Sequence, residues 1–530
     1  MAQLRAALTA LFRAHPPGAR EAATEALAHP DVRVRADAAH ALGRLAEKPA
    51  VTVLEHTLAD GDVRVRAAAA RAIGRLGGTR QTDALLPLLY SDHPEELMSA
   101  LESFGKGIYG VPIARATSLL QSADGETGTT PLHLAVLDAL GRRGDEEAVE
   151  LLDAQIKRGG AIRLRAIRAL GEAQATGPLV RLDAGMFRAD HLAAAEWVSA
   201  LAKADTDASR ARLDDLLAQA ARPAPFRTDQ HGFAALVDAA GRARAPSFET
   251  RLREFLGSEN DLARAAAAEY LAERPNIVMI DPLLGALDAG DKKGSGDAEQ
   301  AALKALEKVG KSFGEGSFAR TRVIERVRPY LNDPRILVRR QAAVCVYGLT
   351  GERHAEAFLG AAVTRKPEDY ARIAASLADT KNVRVETDRG AFVLEVPLGV
   401  APLTADRFLE LVRTHFYDAT IIHRVEPNFV MQGGDPQGTG WGGSGVLIRD
   451  ETSRLPFEAG TLGLATAGSD TGDSQFFITH LATPHLDGAY TAFGRVVEGD
   501  AVMRAIVPGT RVKRITIVGE NEFEENAREK

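Results

Sequence analysis

Two stretches decide the fold of the C-terminal part of the chain, HRVEPNFVMQGGD at residues 423–435 and ATAGSDTGDSQFFITH at residues 465–480. In the first, Arg424, Phe429 and Gln432 recur at short spacing in a strand-like pattern that ends at a Gly-Gly-Asp turn. The second places Gln475 and two phenylalanines in strand alternation behind a loop of Gly, Ser, Asp and Thr. Together the stretches predict an apolar floor with a few polar groups directed at it.

Five further segments extend the pattern between residues 382 and 519: VRVETDRGAFVLEV, TADRFLELV, FYDATIIHRV, HLDGAYTAFGRVVEGDAV and ITIVG. With FVMQGGD and SQFFIT, they resemble the cyclophilin family of peptidyl-prolyl cis-trans isomerases in content and order. The resemblance implies a closed antiparallel eight-stranded β-barrel with two helices over residues 381–520. It also implies isomerisation of X-Pro bonds in protein substrates. Since that rotation makes and breaks no bond, we expect no metal and no cofactor.

The resemblance assigns roles to eleven residues of this chain. In cyclophilins the Arg of the HRV context donates to the prolyl nitrogen, which predicts that role for Arg424, with Gln432 binding the substrate backbone or orienting Arg424. Phe429 completes the predicted catalytic set. The predicted substrate-binding residues are His423, Ala465, Thr466, Gln475, Phe477, His485, Leu486 and Tyr490. The alternatives are a surface salt bridge for Arg424 and plain core packing for Phe429 and Phe477. For His423 the alternative is local packing, which we favour over a catalytic role.

Four positions depart from the best-known eukaryotic pattern. Val430 stands where a Met is frequent, Thr466 where an Asn is frequent, His485 where a Trp is frequent and Tyr490 where a His is frequent. The His485 difference argues against tight cyclosporin binding. These replacements resemble bacterial cyclophilins and leave the predicted mechanism unchanged.

The N-terminal region is repetitive. DVRVRADAAHALG at residues 31–43 returns as DVRVRAAAARAIG at residues 62–74, an offset of 31. In each unit an Asp precedes an Ala- and Leu-rich helical pattern, as an N-cap does. We interpret Gly43, Gly74, Gly171 and Gly348 as left-handed residues that end helices. The units resemble HEAT-type repeats and predict an α-solenoid over residues 1–380.

Weaker copies of the unit are predicted near Asp92, Pro131, Asp190, Asp229 and Asp297, which gives about ten units. The repeated arginines Arg33, Arg35, Arg64 and Arg66 form a ladder along one edge. One interpretation is a groove for an acidic partner. We favour the other, in which each Arg pairs with an Asp of the adjacent unit.

Composition limits the class of protein. At 530 residues the chain exceeds what one core usually covers, and its net charge of -7 argues against nucleic acid as a partner. Cys345 is the only cysteine, which excludes an intrachain disulfide. No segment has the ~20 apolar residues of a membrane span. We expect a cytoplasmic protein, or an exported or periplasmic one if a signal precedes this sequence, and we expect the tail at residues 521–530 to fray.

The sequence thus predicts a protein-folding isomerase of bacterial type, a chaperone whose helical repeats bind a protein partner or deliver proline-containing clients. One rival is a non-catalytic scaffold whose barrel only recognises proline-containing segments. In another, the solenoid binds a ligand of its own and the barrel is accessory. Arg424, Phe429 and Gln432 favour the enzyme.

Overall fold

The computed structural model describes residues 2–77, 81–105, 109–121, 129–187, 190–220, 230–289, 296–358 and 366–520. The predicted repeat start at Asp229 and the predicted charged tail at residues 521–530 lie outside the described residues. The described helices are α1 Ala2–Ala14, α2 Ala19–Ala26, α3 Val32–Leu45, α4 Val51–Thr57, α5 Val63–Leu76, α6 Gln81–Leu85, α7 Pro94–Ser103, α8 Ile113–Gln121, α9 Pro131–Arg143, α10 Glu146–Gln155, α11 Gly160–Glu172, α12 Thr176–Arg181, α13 His191–Ala204, α14 Asp207–Ala220, α15 Gln230–Ala243, α16 Phe248–Leu256, α17 Asp261–Glu273, α18 Ile280–Asp288, α19 Asp297–Lys311, α20 Phe318–Val327, α21 Ile336–Thr350, α22 Pro367–Ala375, α23 Pro402–Arg413 and α24 Asp500–Arg504. None of them is both long enough and apolar enough to cross a bilayer.

The repeat units stack as the sequence predicts. The Asp31 carboxylate accepts from the backbone N–H of Arg33 at 2.8 Å, and Asp62 does the same for Arg64 at 2.9 Å. These side chains cap α3 and α5 and satisfy an otherwise unpaired N–H in each. Each long helix then packs on its counterpart in the next unit, in the order α1, α3, α5, α7, α9, α11, α13, α15, α17, α19 and α21. This row of stacked helices runs along the helical-repeat region.

The repeat glycines have a different role from the one predicted. Gly43, Gly74, Gly171 and Gly348 lie inside helices, and none has a positive φ. Instead, each faces a neighbouring helix. A Cβ at Gly43 would lie 2.7 Å from Cα of Ala72, closer than real contacts allow. The glycines are therefore needed for close helix packing, and the interpretation as left-handed helix ends is wrong.

The arginine ladder is neutralised within the solenoid. Arg35 pairs with Asp60 at 2.8 Å, and Arg66 pairs with Glu96, in both cases in a neighbouring helical segment. Arg33 and Arg64 pair with the carboxylates that cap their own helices, at 2.8 and 2.9 Å. The predicted pairing with an Asp of the adjacent unit therefore holds for Arg35, whereas Arg66 pairs with a Glu and Arg33 and Arg64 pair within their own units.

Eight strands follow the solenoid: β1 Thr380–Thr387, β2 Gly390–Pro397, β3 Arg424–Glu426, β4 Val430–Gly433, β5 Thr461–Leu464, β6 Phe476–Thr479, β7 Ala492–Glu498 and β8 Val512–Ile517. They form one antiparallel sheet in the order β3-β4-β6-β5-β7-β2-β1-β8. Alternate residues of β1, β2 and β8 point into a buried core that α23 covers.

The predicted closed barrel is wrong, because β3 and β8 at the two ends of the sheet share no ladder. An isolated bridge between Ile421 and Arg511 joins the ends, just before each strand begins. The turn at residues 507–510 lies beside this bridge: Gly509 has a φ of 87°, and the Thr510 hydroxyl donates to the carbonyl of Val507. The sheet is therefore a half-barrel of eight strands.

Helix α23 has no side-chain cap from the residue that precedes it, Ala401. The helix begins at Pro402, so Thr404 lies within its first turn. The cap comes from Glu451, whose carboxylate accepts from the backbone N–H of Leu403 at 3.0 Å and of Thr404 at 2.7 Å. A carboxylate at this end also complements the helix dipole.

The sheet domain lies against the solenoid. Val507 of the sheet domain is buried within the apolar cluster of the helices. Polar contacts across the boundary join Arg5 to Glu458 at 2.6 Å, Arg504 to Glu95 at 3.4 Å, Arg389 to the carbonyl of Thr129 at 2.7 Å and Arg340 to the carbonyl of Ser469 at 2.8 Å. These contacts fix one face of the half-barrel against the helical repeats.

Candidate active site

The site is built on the hairpin of β3 and β4, where Arg424 pairs in register with Gln432. Arg424 Nη1 donates to Gln432 Oε1 at 3.1 Å, and Gln432 Nε2 donates to Gln475 Oε1 at 2.9 Å. Gln475 Nε2 in turn donates to the carbonyls of Gly440 and Gly442, both at 2.8 Å. This relay fixes the guanidinium while leaving the Arg424 side chain 42% exposed. A cation is thus both oriented and accessible.

An apolar cluster lies on the same part of the sheet. Its buried members are Val430, Phe457, Phe477, Leu486 and Ala492, and Phe429, Leu455, Ala465 and Tyr490 pack against it partly buried. The ring of Phe477 stacks on Phe457 at 5.4 Å and meets the edge of Tyr490 at 5.7 Å. The structure therefore brings five of the predicted residues, Phe429, Ala465, Phe477, Leu486 and Tyr490, into one apolar surface.

The remaining predicted residues lie around this surface. His485 stacks on Phe429, with ring centroids 5.6 Å apart, and Thr466 follows Ala465 in the loop after β5. Burial lowers the pKa of His423 to about 4, and neither of its ring nitrogens has a hydrogen-bond partner. Gly440 packs close to the His423 ring. His423 thus packs locally under the loop, as favoured over a catalytic role.

The Gly-rich loop after β4 is organised by Asp435. This buried carboxylate accepts from the backbone N–H groups of Gln437 at 2.8 Å, Thr439 at 2.7 Å and Gly440 at 2.7 Å. Burial raises the pKa of Asp435, but these donors outweigh it and the pKa is lowered. The loop that ends the relay at Gln475 is therefore held by an ionised side chain.

The solenoid reaches the hairpin of β3 and β4. Glu426, two residues after Arg424, forms ion pairs with Arg165 at 3.1 Å and with Arg168 at 3.0 Å, both from α11. Arg165 also donates to the carbonyl of Val425. At the hairpin tip, Asn428 Nδ2 donates to Ser99 Oγ of α7 at 2.9 Å. The helical repeats thus hold the strand that carries Arg424.

The carboxylate of Glu426 interacts with Arg424 as well as with the two solenoid arginines. Its Oε1 lies 3.5 Å from Arg424 Nε, so it competes for the exposed guanidinium. Burial raises the pKa of Glu426, while Arg165, Arg168 and Arg424 together lower it below its usual range. Glu426 is therefore ionised at neutral pH. The two solenoid arginines neutralise most of the negative charge that would otherwise act on Arg424.

Several residues of the site were not predicted from the sequence. Phe457 lies in an irregular segment without periodicity, so no local signal marks it. Glu426 could have been found, because residues two apart in a strand share a face and an acidic residue beside Arg424 is conspicuous. Arg165 and Arg168 belong to an ordinary repeat helix, and only the fold brings them near.

The fold and site define a class of protein: a half-barrel that presents an apolar surface for an uncharged ring, with an oriented arginine at its edge. The family model described as "Cyclophilin type peptidyl-prolyl cis-trans isomerase/CLD" matches residues 382–520, and the model for HEAT repeats matches residues 3–64 and 20–105.

Two relatives agree with the cyclophilin match. The chain is 43% identical over 136 residues to a peptidyl-prolyl cis-trans isomerase of Synechococcus elongatus, covering 25% of this chain and 94% of that protein. It is 46% identical over 121 residues to peptidyl-prolyl cis-trans isomerase B of Bacillus subtilis, covering 22% of this chain and 85% of that protein. A crystal structure of a cyclophilin-type isomerase from Cryptosporidium parvum matches 27% of this chain and 99% of that chain, at 31% identity and a TM-score of 0.26. The chain belongs to the cyclophilin-type peptidyl-prolyl cis-trans isomerase family.

Proposed function

We propose that Arg424 is the catalytic group of this isomerase and acts by placing a positive charge near the nitrogen of a twisted X-Pro bond. The observation that carries the proposal is the position of its guanidinium, held by Gln432 at 3.1 Å beside the apolar cluster and still partly exposed. Family membership supports the reaction itself, and the geometry supports this residue as its agent.

The chemistry requires little beyond that arrangement. Rotation about an X-Pro bond has a barrier of about 18–20 kcal/mol because the amide loses resonance. At the twisted state the nitrogen lone pair is localised and accepts a hydrogen bond, which the planar amide accepts poorly. A donor placed there stabilises the twisted state more than either planar state, and only such differential binding accelerates the rotation.

The other predicted residues have supporting roles in this proposal. Phe429, Phe477 and Leu486 hold the prolyl ring, and Tyr490 and His485 form the walls beside it. Gln432 fixes the guanidinium and, with Gln475, offers amide groups to the substrate backbone. Ala465, Thr466 and His423 line or support the groove for the residues that flank the proline.

The solenoid is proposed to bind a protein partner or a proline-containing client and to hold the catalytic hairpin in place. The support is the contact between α11 and Glu426, which makes the helical repeats part of the structure around the site. Clients are polypeptides with accessible X-Pro bonds.

A protease-coupled proline-peptide assay on the full chain tests the enzyme against the non-catalytic scaffold. We expect wild-type turnover well above the uncatalysed rate and a loss of about 100-fold or more in Arg424→Ala, the range found when one such donor is removed. Arg384→Ala is the matched control, because Arg384 is an exposed arginine of β1 that pairs with Glu386 at 3.0 Å. Wild-type turnover equal to that of Arg424→Ala would leave only the scaffold.

A further inference from the structure

Three arginines of the solenoid lie together on α3 and α5, outside the catalytic hairpin. The 31-residue repeat places Arg75 at the position equivalent to Arg44, and Arg71 at the position equivalent to His40. Arg71 and Arg75 are four residues apart and so share a face of α5. The close approach of α3 and α5 at Gly43 and Ala72 places the two rows side by side. We call Arg44, Arg71 and Arg75 the arginine cluster.

The cluster lacks the acidic partners that other solenoid arginines have. Within the described ranges, none of the three forms an ion pair or hydrogen bond with another residue, and the Nε atoms of Arg44 and Arg71 are buried without an acceptor. Burial lowers the pKa of Arg71, and burial together with Arg75 lowers that of Arg44. The two buried Nε atoms lack a hydrogen-bond acceptor, which is unfavourable and which an anion bound to the cluster would relieve.

Nearby carboxylates are already engaged. Glu102 Oε2 accepts from Asn428 Nδ2 at 3.3 Å, and Glu95 pairs with Arg504 at 3.4 Å. By contrast, Arg35 and Arg66 on the same two helices both have acidic partners. Glu102 and Glu95 still favour the charged form of Arg71, but neither forms an ion pair with a member of the arginine cluster.

The arginine cluster adjoins the proline-binding surface through His485. The His485 ring stacks on His40 of α3 at 5.5 Å and on Phe429 of the apolar cluster at 5.6 Å. Burial, followed by the charges of Arg44, Arg75 and Arg71, lowers the pKa of His485 to about 3. The His485 ring thus lies between the proposed proline pocket and α3, the helix that carries Arg44.

We propose that the arginine cluster is an anion subsite that binds a carboxylate or phosphate group on a client residue close to the isomerised proline. This inference rests on the proposed function and adds a specificity to it: the enzyme prefers X-Pro segments that carry an acidic or phosphorylated side chain nearby. Arginine suits both groups, since its planar fork bonds carboxylate and phosphate oxygens in pairs.

The test uses the full chain and peptides that differ in one residue, Glu against Gln and phosphoserine against Ser. One series places the residue immediately before the proline and the other places it two residues after. Isomerisation is measured by exchange NMR. We expect kcat/KM to be at least about fivefold higher for the anionic member in one series. A larger ratio for phosphoserine identifies phosphate as the better ligand, and equal ratios identify a carboxylate as sufficient; both support the subsite.

The variants are Arg75→Gln, which changes an exposed side chain, and Arg71→Gln. In both we expect the ratio to fall to about one, while Arg20→Gln on neighbouring α2 keeps the wild-type ratio. A wild-type ratio near one in both series, or an unchanged ratio in both variants, would overturn the subsite. If Arg71→Gln does not fold, Arg75→Gln decides.

A second readout separates this inference from the isomerase mechanism. Fluorescence anisotropy gives the Kd of the same labelled peptides whether or not they are turned over. If no peptide is isomerised but the Glu peptide binds tighter than the Gln peptide in a manner that Arg75→Gln abolishes, the proposed mechanism fails and the subsite stands. If the peptides are turned over but neither the Glu nor the phosphoserine peptide binds tighter than its neutral counterpart at either position, the mechanism stands and the subsite fails.

Discussion

Replacing Arg168 tests whether the solenoid controls the catalytic arginine. In Arg168→Met, Glu426 loses an ion pair of 3.0 Å, an attraction of roughly 5 kcal/mol at an effective dielectric constant of about 20. Glu426 keeps its ion pair with Arg165 at 3.1 Å. Removing Arg168 also removes the cost of desolvating its charge, which offsets much of the lost attraction, so we expect about 1–2 kcal/mol of net destabilisation. The freed carboxylate then turns to Arg424, now 3.5 Å away, and occupies the proposed donor.

The expected result is a fall in kcat/KM of about three- to tenfold in the peptide assay, equivalent to about 0.7–1.4 kcal/mol of transition-state stabilisation. Adding Glu426→Gln should restore most of the activity, because the competing charge is gone. Arg181→Met, which removes an exposed pair with Asp153 at 3.1 Å, is the matched control and should change neither activity nor stability by more than about 0.5 kcal/mol. Wild-type kcat/KM in Arg168→Met would refute the reasoning.

Two further perturbations follow from the packing and the buried histidines. Gly43→Ala should destabilise the solenoid by about 1–3 kcal/mol in urea unfolding, because the new Cβ would lie 2.7 Å from Cα of Ala72. Gly61→Ala, which has open space around it, should change stability by less than about 0.5 kcal/mol. Equal effects of the two substitutions would contradict the role of Gly43 in helix packing. Burial lowers the pKa of His480 to about 4, so the unfolded chain, with an ordinary pKa near 6.5, binds the proton first as the pH falls. Stability is therefore complete above pH 6.5 and should be about 2 kcal/mol lower at pH 5 on account of this residue; a His480→Gln variant that loses as much stability over the same range would disprove the assignment.

The sequence predicted much of the fold because its signals are local. The offset of 31 and the Asp caps of α3 and α5 indicate stacked helices, and period-two alternation indicates strands from about residue 380. Local signals misled where a distant contact decides the role of a residue. Gly43 follows a helical pattern, as a helix-ending glycine does, but the backbone of Ala72 on the next helix explains it. Whether β3 and β8 share a ladder is likewise decided by segments far apart in the chain, and an ordered set of motifs does not reveal it.

The candidate site also combines residues that local sequence patterns indicate with contacts that only the fold creates. Arg424, Gln432 and Gln475 form one relay, of which the resemblance implied only that Gln432 could orient Arg424. Their surroundings could not be predicted, since Arg165 lies 261 positions from Glu426 in the chain and still contacts it. The repeats and the half-barrel are therefore in contact at the hairpin that carries Arg424.

The most direct measurement is a paired one on Arg424→Leu: the Kd of an Ala-Pro peptide and its exchange rate on the full chain, both by NMR. If the guanidinium acts on the twisted state, Kd should change by less than about threefold while the exchange rate falls by about 100-fold or more. Gln475→Leu, which removes an amide from the relay without removing the cation, should lower the rate far less. An Arg424→Leu protein whose peptide affinity and exchange rate fall together would contradict the account, because the arginine would then bind the planar peptide as strongly as the twisted one.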